Sequence, residues 1–203
     1  MKIGIIDYGM GNISSLISAL NYLGYDDVEI SHDYQVLQKA SKLILPGVGN
    51  YAEAALQLDK LGLNETLKSL VIEQKKPILG ICLGMQILGI SSTESGYNDG
   101  LCFIDGRVEK FTSKSLKIPH VGYNQIAQPQ DSILFAGIDD CSDFYFTHSF
   151  RMMSDSDIRQ SICEYGESFV ASFEVDNIAG VQFHPELSQN NGLKLINNFL
   201  EHY

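Results

Sequence analysis

The sequence predicts an α/β domain, with a mostly parallel sheet covered by helices on both faces and an antiparallel extension in its second half. Strand-like apolar runs alternate with helically periodic segments through the first hundred residues. Beyond about residue 100 the helical pattern gives way to short strand-like runs separated by polar turns. No internal repeat and no Pro- or Ser-rich linker interrupts the chain, so a single domain over residues 1–203 is expected.

Taken in order, Lys2–Ile6 reads as a first strand ending at Asp7-Tyr8-Gly9-Met10-Gly11. Asn12 is placed to cap a helix in which Ile13, Leu16, Ile17, Leu20 and Leu23 recur at helical spacing, and Gly24 stops it. A second strand, Val28–Ile30, precedes a short helix at Val36–Ala40, and Lys42–Leu45 forms a third strand closed by Pro46-Gly47-Val48-Gly49. Helices around Ala52–Leu58 and Asn64–Lys75 follow, then a fourth strand, Pro77–Ile81, and a helical run at Met85–Ile90. The alternation argues for parallel strands joined by covering helices. The later strands are expected at Gly106–Phe111, Ile118–Tyr123, Phe144–His148, Ile162–Tyr165, Phe169–Glu174 and Ile178–Phe183. Gly192–Tyr203 closes the chain as a helix with Leu195, Ile196, Phe199 and Leu200 on one face.

Composition narrows the function classes. A formal net charge of −11 repels nucleic acid and anionic lipid, so neither is an expected partner. The longest apolar stretch, Ile78–Ile90, is broken by glycines and Gln86, short of the about 18 apolar residues that a membrane span needs. Met1-Lys2-Ile3-Gly4-Ile5-Ile6-Asp7 turns acidic too soon for a signal peptide, so a cytoplasmic protein is expected. Cys82, Cys102, Cys141 and Cys163 contain no C-x-x-C pair, which argues against a zinc or iron–sulfur site and leaves no metal or cofactor expected. Gly9-Met10-Gly11 lacks the third glycine of a dinucleotide-binding turn, because Ser14 stands there.

Three segments carry chemistry. Gly80-Ile81-Cys82-Leu83-Gly84 follows a strand and precedes a helix, the G-x-nucleophile-x-G pattern of a sharp strand-to-helix elbow. Such a turn exposes the nucleophile, and the helix N-terminus behind it favours a thiolate and offers N–H groups to an oxyanion. The pentapeptide alone also fits a buried cysteine between two turn glycines. About 100 residues later, Gln182-Phe183 runs into His184-Pro185-Glu186. Residues i and i+2 of an extended segment share a side, and Pro185 keeps His184 extended, so His184 and Glu186 project together. A histidine there can take a thiol proton while the carboxylate orients its ring. Pro46-Gly47-Val48-Gly49, an ordinary strand-to-helix turn when taken alone, can bring a backbone N–H beside the nucleophile to complete an oxyanion hole with Leu83 N–H.

Together these segments resemble the class I (triad-type) glutamine amidotransferases, over nearly the whole chain. Asp7-Tyr8-Gly9-Met10-Gly11-Asn12 extends the likeness, and Pro119-His120-Val121-Gly122-Tyr123-Asn124 and Tyr145-Phe146-Thr147-His148-Ser149-Phe150 point to the histidine-biosynthesis branch. The resemblance implies a flavodoxin-like fold and a Cys82–His184–Glu186 triad that releases ammonia from the glutamine side chain by way of a glutamyl thioester. It implies an oxyanion hole at Gly49 and Leu83, and substrate contacts at Gly47, Gln86, Glu94, Ser149 and Phe150. It also implies a heterodimer with a (β/α)8-barrel cyclase that receives the ammonia, with Asn12, Tyr123 and Tyr145 at the subunit interface. Two positions depart from the branch: Tyr123 stands where Trp is usual, and Phe150 where Tyr is common. Both leave the hydrolytic residues intact, and both keep open an alternative, a sister subunit that feeds a different acceptor enzyme, such as one in sugar amidation.

Overall fold

In the computed structural model, residues 1–113 and 116–203 are described. The first half of the chain runs β1 (Ile3–Ile6), α1 (Ile13–Tyr22), β2 (Val28–Ser31), α2 (Tyr34–Leu37), β3 (Lys42–Leu45), α3 (Tyr51–Lys60), α4 (Leu63–Leu67), β4 (Ile78–Ile81) and α5 (Leu83–Ile87). A wider helical turn at Lys68–Glu73 continues α4. The second half adds β5 (Ser91–Ser92), β6 (Asn98–Asp99), β7 (Arg107–Lys110), β8 (His120–Ala127), β9 (Asp143–His148), β10 (Phe150–Met153), β11 (Ser161–Glu164), β12 (Ser168–Val175), β13 (Ile178–Val181) and α6 (Gln189–His202).

The strands order as β2-β1-β3-β4-β13-β12-β10-β7-β5-β6. The first five are mutually parallel, the flavodoxin-type arrangement, with β13 returning to β4 after the long excursion of the second half. β12, β10 and β7 then pair antiparallel, and β8, β9 and β11 branch from β12 as a further antiparallel layer. This is the parallel sheet with an antiparallel extension that the sequence predicts.

Because a strand alternates its side chains, β1 sends Ile3 and Ile5 to one face and Ile6 to the other, and β3 sends Ile44 and Leu43 to opposite faces. Ile3, Ile5, Ile44, Leu79, Ile81 and Val181 pack under α1 and α6. Leu43, Leu45 and Ile78 pack under α2, α3, α4 and α5. Central strands buried on both faces are therefore apolar throughout, which is why they read as continuous runs.

Helix starts follow their capping chemistry. The Asn50 side chain accepts from Glu53 N–H at 3.2 Å at the start of α3. Asp33 accepts from Gln35 and Val36 N–H at 2.7 and 3.3 Å, so α2 begins at Tyr34, two residues before the expected Val36. Asn12 occupies the capping position of α1, but its side chain makes no capping bond, because ψ of 65° turns that residue away from the extended conformation a side-chain cap requires. Sequence reasoning passed over β5, β6 and β10. The first two are polar dipeptides, and β10 is separated from β9 only by Ser149, where the chain leaves β8 and joins β7 and β12.

Candidate active site

The carboxyl ends of β3, β4 and β13 carry Pro46-Gly47-Val48-Gly49, Cys82 and Gln182-Phe183-His184, so the parallel sheet converges all three predicted segments at one edge. Cys82 has φ 53° and ψ −109°, a conformation that L-residues rarely adopt. Three backbone bonds impose it. Cys82 N–H donates to Val181 O at 2.8 Å, Gln86 N–H donates to Cys82 O at 3.1 Å to begin α5, and Leu83 N–H donates to Gly47 O at 3.4 Å. The elbow closes only because its glycine is bare: a Cβ on Gly84 would lie 1.8 Å from the Leu45 carbonyl oxygen. Gly47 is wedged as tightly, its missing Cβ falling 2.5 Å from the Tyr8 hydroxyl and 2.6 Å from Gly84 N.

His184 Nδ1 and Glu186 Oε1 lie 2.8 Å apart, with both side chains 3% exposed. The backbone of His184 is clasped by β9 and the turn beyond it. His184 N–H donates to Tyr145 O at 2.8 Å, Ser188 Oγ–H donates to His184 O at 2.6 Å, and Tyr145 N–H donates to Ser188 Oγ at 2.9 Å. Burial alone disfavours the imidazolium, but the neighbouring Cys82 sulfur and the Glu186 carboxylate overcome it and lift His184 to about 10. Among the described residues His184 Nε2 meets no partner of regular hydrogen-bond geometry, and the Cys82 sulfur beside it is the first of the two neighbours that raise the ring. Glu186 Oε2 is likewise unpaired. Tyr8, buried beside this charge, donates its hydroxyl to Pro46 O at 2.9 Å and is pushed strongly upward by burial and by Cys82.

A cavity of about 260 Å³ opens onto Cys82 and is lined by Val48, Gly49, Leu83, Gln86, Glu94, Pro119, Thr147, His148, Ser149 and Phe150. Of the predicted substrate contacts, Gln86, Glu94, Ser149 and Phe150 thus meet in one place. Glu94 Oε2 accepts from Tyr51 N–H at 2.9 Å, which anchors the carboxylate at the start of α3. The Phe150 carbonyl faces inward, accepting from Gln86 Nε2 at 3.0 Å and lying 2.7 Å from His148 Nδ1. Gly47 is not part of that lining. It lies behind the elbow, around a second space of about 10 Å³ lined by Asn12, Leu16, Pro46, Val48, Ile81, His184 and Glu186. Leu83 N–H, expected in the oxyanion hole, is held instead by the Gly47 carbonyl.

The predicted interface residues gather around the His184–Leu187 segment. Asn12 lines the small space beside Glu186. Tyr123 packs edge-on against Tyr145 at 5.5 Å and donates its hydroxyl to Leu187 O at 2.9 Å. Tyr123 is 48% exposed, and Val121, on the same side of β8 two residues earlier, is 56% exposed.

Two features escaped sequence reasoning. His120 and His148, both buried, lie 3.0 Å apart between Nδ1 and Nε2, and burial pushes them down to about 4 and about 3. Gln182, fully buried, reaches Cys82 Sγ with its Nε2 at 3.6 Å. Strand alternation was the available signal for Gln182, since it lies two residues before His184 and shares its side. Among the described residues no group of side chains is arranged to hold a metal ion, and no helix is long and apolar enough to cross a membrane.

Comparison with known proteins agrees with this geometry. A family model for glutamine amidotransferase class-I matches residues 4–203. The imidazole glycerol phosphate synthase subunit HisH 1 of Campylobacter jejuni is 47% identical over 199 residues, covering 98% of each chain. Subunit HisH of Aquifex aeolicus is 42% identical over 200 residues, covering 98% of this chain and 96% of that one. Among solved structures, PurLQS from Thermotoga maritima superposes with a TM-score of 0.68 at 18% identity, covering 98% of this chain and 97% of that chain, a likeness of fold. The chain belongs to the class I glutamine amidotransferase family.

Proposed function

We propose that this chain is the glutaminase subunit of an imidazole glycerol phosphate synthase, hydrolysing L-glutamine and passing the ammonia to a cyclase subunit in histidine biosynthesis. The observation that carries the chemistry is the placement of Cys82 beside the buried His184–Glu186 pair, in the lining of a cavity of about 260 Å³. Support for the pathway comes from the two HisH subunits that match along nearly their whole length.

The steps follow from the groups present. His184 takes the thiol proton, and Cys82 Sγ attacks the side-chain carbonyl carbon of glutamine. The tetrahedral oxyanion is held by backbone N–H groups of the elbow and of the Gly47–Gly49 turn. Its collapse expels the amide nitrogen, which receives the proton from His184 and leaves as ammonia. Water then attacks the thioester, His184 again moving the proton, and glutamate departs with Cys82 restored. Glu186 holds the imidazole by its Nδ1 and stabilises the imidazolium. In the lining of the same cavity, Glu94 is the carboxylate suited to the substrate's α-ammonium.

The acceptor in this reading is a (β/α)8-barrel cyclase, docked over Asn12, Tyr123 and Tyr145. The chain works as one domain over 1–203, in the cytoplasm. Steady-state glutaminase activity, measured alone and with a histidine-pathway cyclase loaded with its ribotide, tests it. Strong stimulation is expected. Tyr123, standing where that branch usually carries Trp, favours a second reading in which the same glutaminase serves another acceptor. Slow hydrolysis that the cyclase leaves unchanged would select it.

A further inference from the structure

The proposed chemistry leaves one buried polar side chain at the nucleophile without a task. Gln182 is fully buried and lines neither the substrate cavity nor the small space behind the elbow. Its Nε2 lies 3.6 Å from Cys82 Sγ, and its Oε1 accepts from Gln86 Nε2 at 2.8 Å. An amide can be turned either way, so its donor end has to be established from its neighbours.

The neighbours settle it. The Phe150 carbonyl can only accept, and Gln86 Nε2 lies 3.0 Å from it, so Gln86 presents its NH₂ group on that side. The same NH₂ group reaches Gln182, which therefore meets it with Oε1 and turns its own NH₂ towards the sulfur. His148 Nδ1, 2.7 Å from the same carbonyl, must also donate, which leaves its Nε2 to accept from His120 Nδ1. Donors from His148 and from Gln86 thus converge on the Phe150 carbonyl, and a separate run from Gln86 passes through Gln182 and ends with an N–H aimed at Cys82.

On the reading of Cys82 as the nucleophile, we propose that Gln182 is a further catalytic residue. Its amide N–H, locked in direction by Gln86, donates to the Cys82 sulfur and stabilises the attacking thiolate over the thiol. A thiol has little use for this donor. The competing acceptor for the S–H is the Thr147 carbonyl, which is 4.0 Å away. An anion gains more from a fixed N–H than a neutral sulfur does, all the more where water is excluded. Gln182 thereby supplements the imidazolium of His184 from the same strand end, without contributing a charge of its own.

The test is the pH dependence of Cys82 alkylation by iodoacetamide on the intact chain, followed at the Cys82 peptide by mass spectrometry so that exposed Cys102 and Cys141 do not contribute. Gln182→Met keeps volume and removes the donor. Alkylation at pH 7 is expected to slow about tenfold and to return to the wild-type rate in alkaline solution, where the thiolate forms without help. Gln86→Met leaves the donor but removes its lock, and a smaller slowing with the same alkaline recovery is expected. Alkylation of Gln182→Met at the wild-type rate throughout, or slowed equally at every pH, overturns the proposal. Should Gln182→Met lose its cooperative melting transition, Gln86→Met decides by the same two criteria. Because alkylation needs no glutamine, an absence of glutaminase activity in the wild type would count against the proposed function while leaving this result to stand or fall separately.

Discussion

Cys82 is the point at which stability and chemistry compete, and a pair of substitutions measures the cost. In Cys82→Ala the thiol is gone and the backbone conformation is retained. In Cys82→Gly the conformation also becomes unstrained. A non-glycine residue at positive φ costs about 1–3 kcal/mol, and ψ of −109° lies well outside the left-handed helical well, which argues for about 3. Against this, glycine loses about 0.8 kcal/mol through the freedom of the unfolded chain and about 0.8 through one buried methyl. The balance favours Cys82→Gly by about 1 kcal/mol. At an ordinary buried position with negative φ the same exchange would favour alanine by about 1.5 kcal/mol, so the sign itself is diagnostic. With a urea slope of roughly 2–3 kcal/mol/M, Cys82→Gly should unfold at a midpoint about 0.4 M above Cys82→Ala. Equal midpoints, or a more stable alanine variant, would refute the idea that the elbow stores strain at its nucleophile.

Three further outcomes follow from named contacts. Gly84→Ala should destabilise by about 3 kcal/mol or more in urea denaturation, because the new Cβ meets a backbone oxygen of central β3 that cannot give way; a loss under 1 kcal/mol would mean that α5 can shift freely. Glu186→Gln should lower glutaminase kcat roughly 10²–10⁴-fold, less than Cys82→Ser, since the amide can still hold the imidazole but no longer offsets its charge; equal losses would give Glu186 more than an orienting role. His120 and His148 are held below their unfolded value of 6.5, so the unfolded chain binds more protons than the folded one as pH falls through that value. Their stabilisation is complete above about pH 6.5 and is lost towards about pH 4 and below, so urea midpoints should fall between pH 6.5 and 5, and His120→Phe should flatten that fall. His184 is shifted the other way, and the opposing slope it adds near pH 6.5 fades towards pH 5, where it is protonated in both states.

Legibility of this fold in the sequence divides along physical lines. The central strands are buried on both faces, so nearly every position is apolar, and β1, β3, β4 and β13 stand out as runs. The elbow was legible because its sterics demand glycine at fixed offsets from Cys82, and His184 with Glu186 because alternation in an extended segment places them together. What was not legible depends on partners distant in sequence. Ser91–Ser92 is a strand only because Arg107 and Asp99 lie beside it. The break at Ser149, which separates β9 from β10 and places Phe150 O over Gln86, is dictated by β7 and β12, not by local propensity. Gln182 lay inside a motif that had been read for its histidine and glutamate, and its contact with the sulfur becomes visible only once β4 and β13 are adjacent.

The geometry of the elbow also bears on where a docked partner subunit would act. An oxyanion beside Cys82 needs free N–H donors, and Leu83 N–H is already taken by the Gly47 carbonyl. The Tyr8 hydroxyl donates to Pro46 O and so holds the peptide before Gly47, while the peptide after it, which carries the Gly47 carbonyl, is the one whose turning would release Leu83 N–H. Freedom for such a turn lies on the other side, where Gly49 has φ 108° and no carbonyl is pinned by Tyr8. Val48, between them, is 39% exposed and lines both the substrate cavity and the space that Asn12 borders. A surface pressed against Asn12 and Val48 would therefore act on the one peptide that blocks the donor, while the Cys82, His184 and Glu186 side chains stay where the sheet holds them. Slow hydrolysis by the free chain and a rise on docking are the behaviour this arrangement predicts, and the steady-state comparison with and without a loaded cyclase measures both.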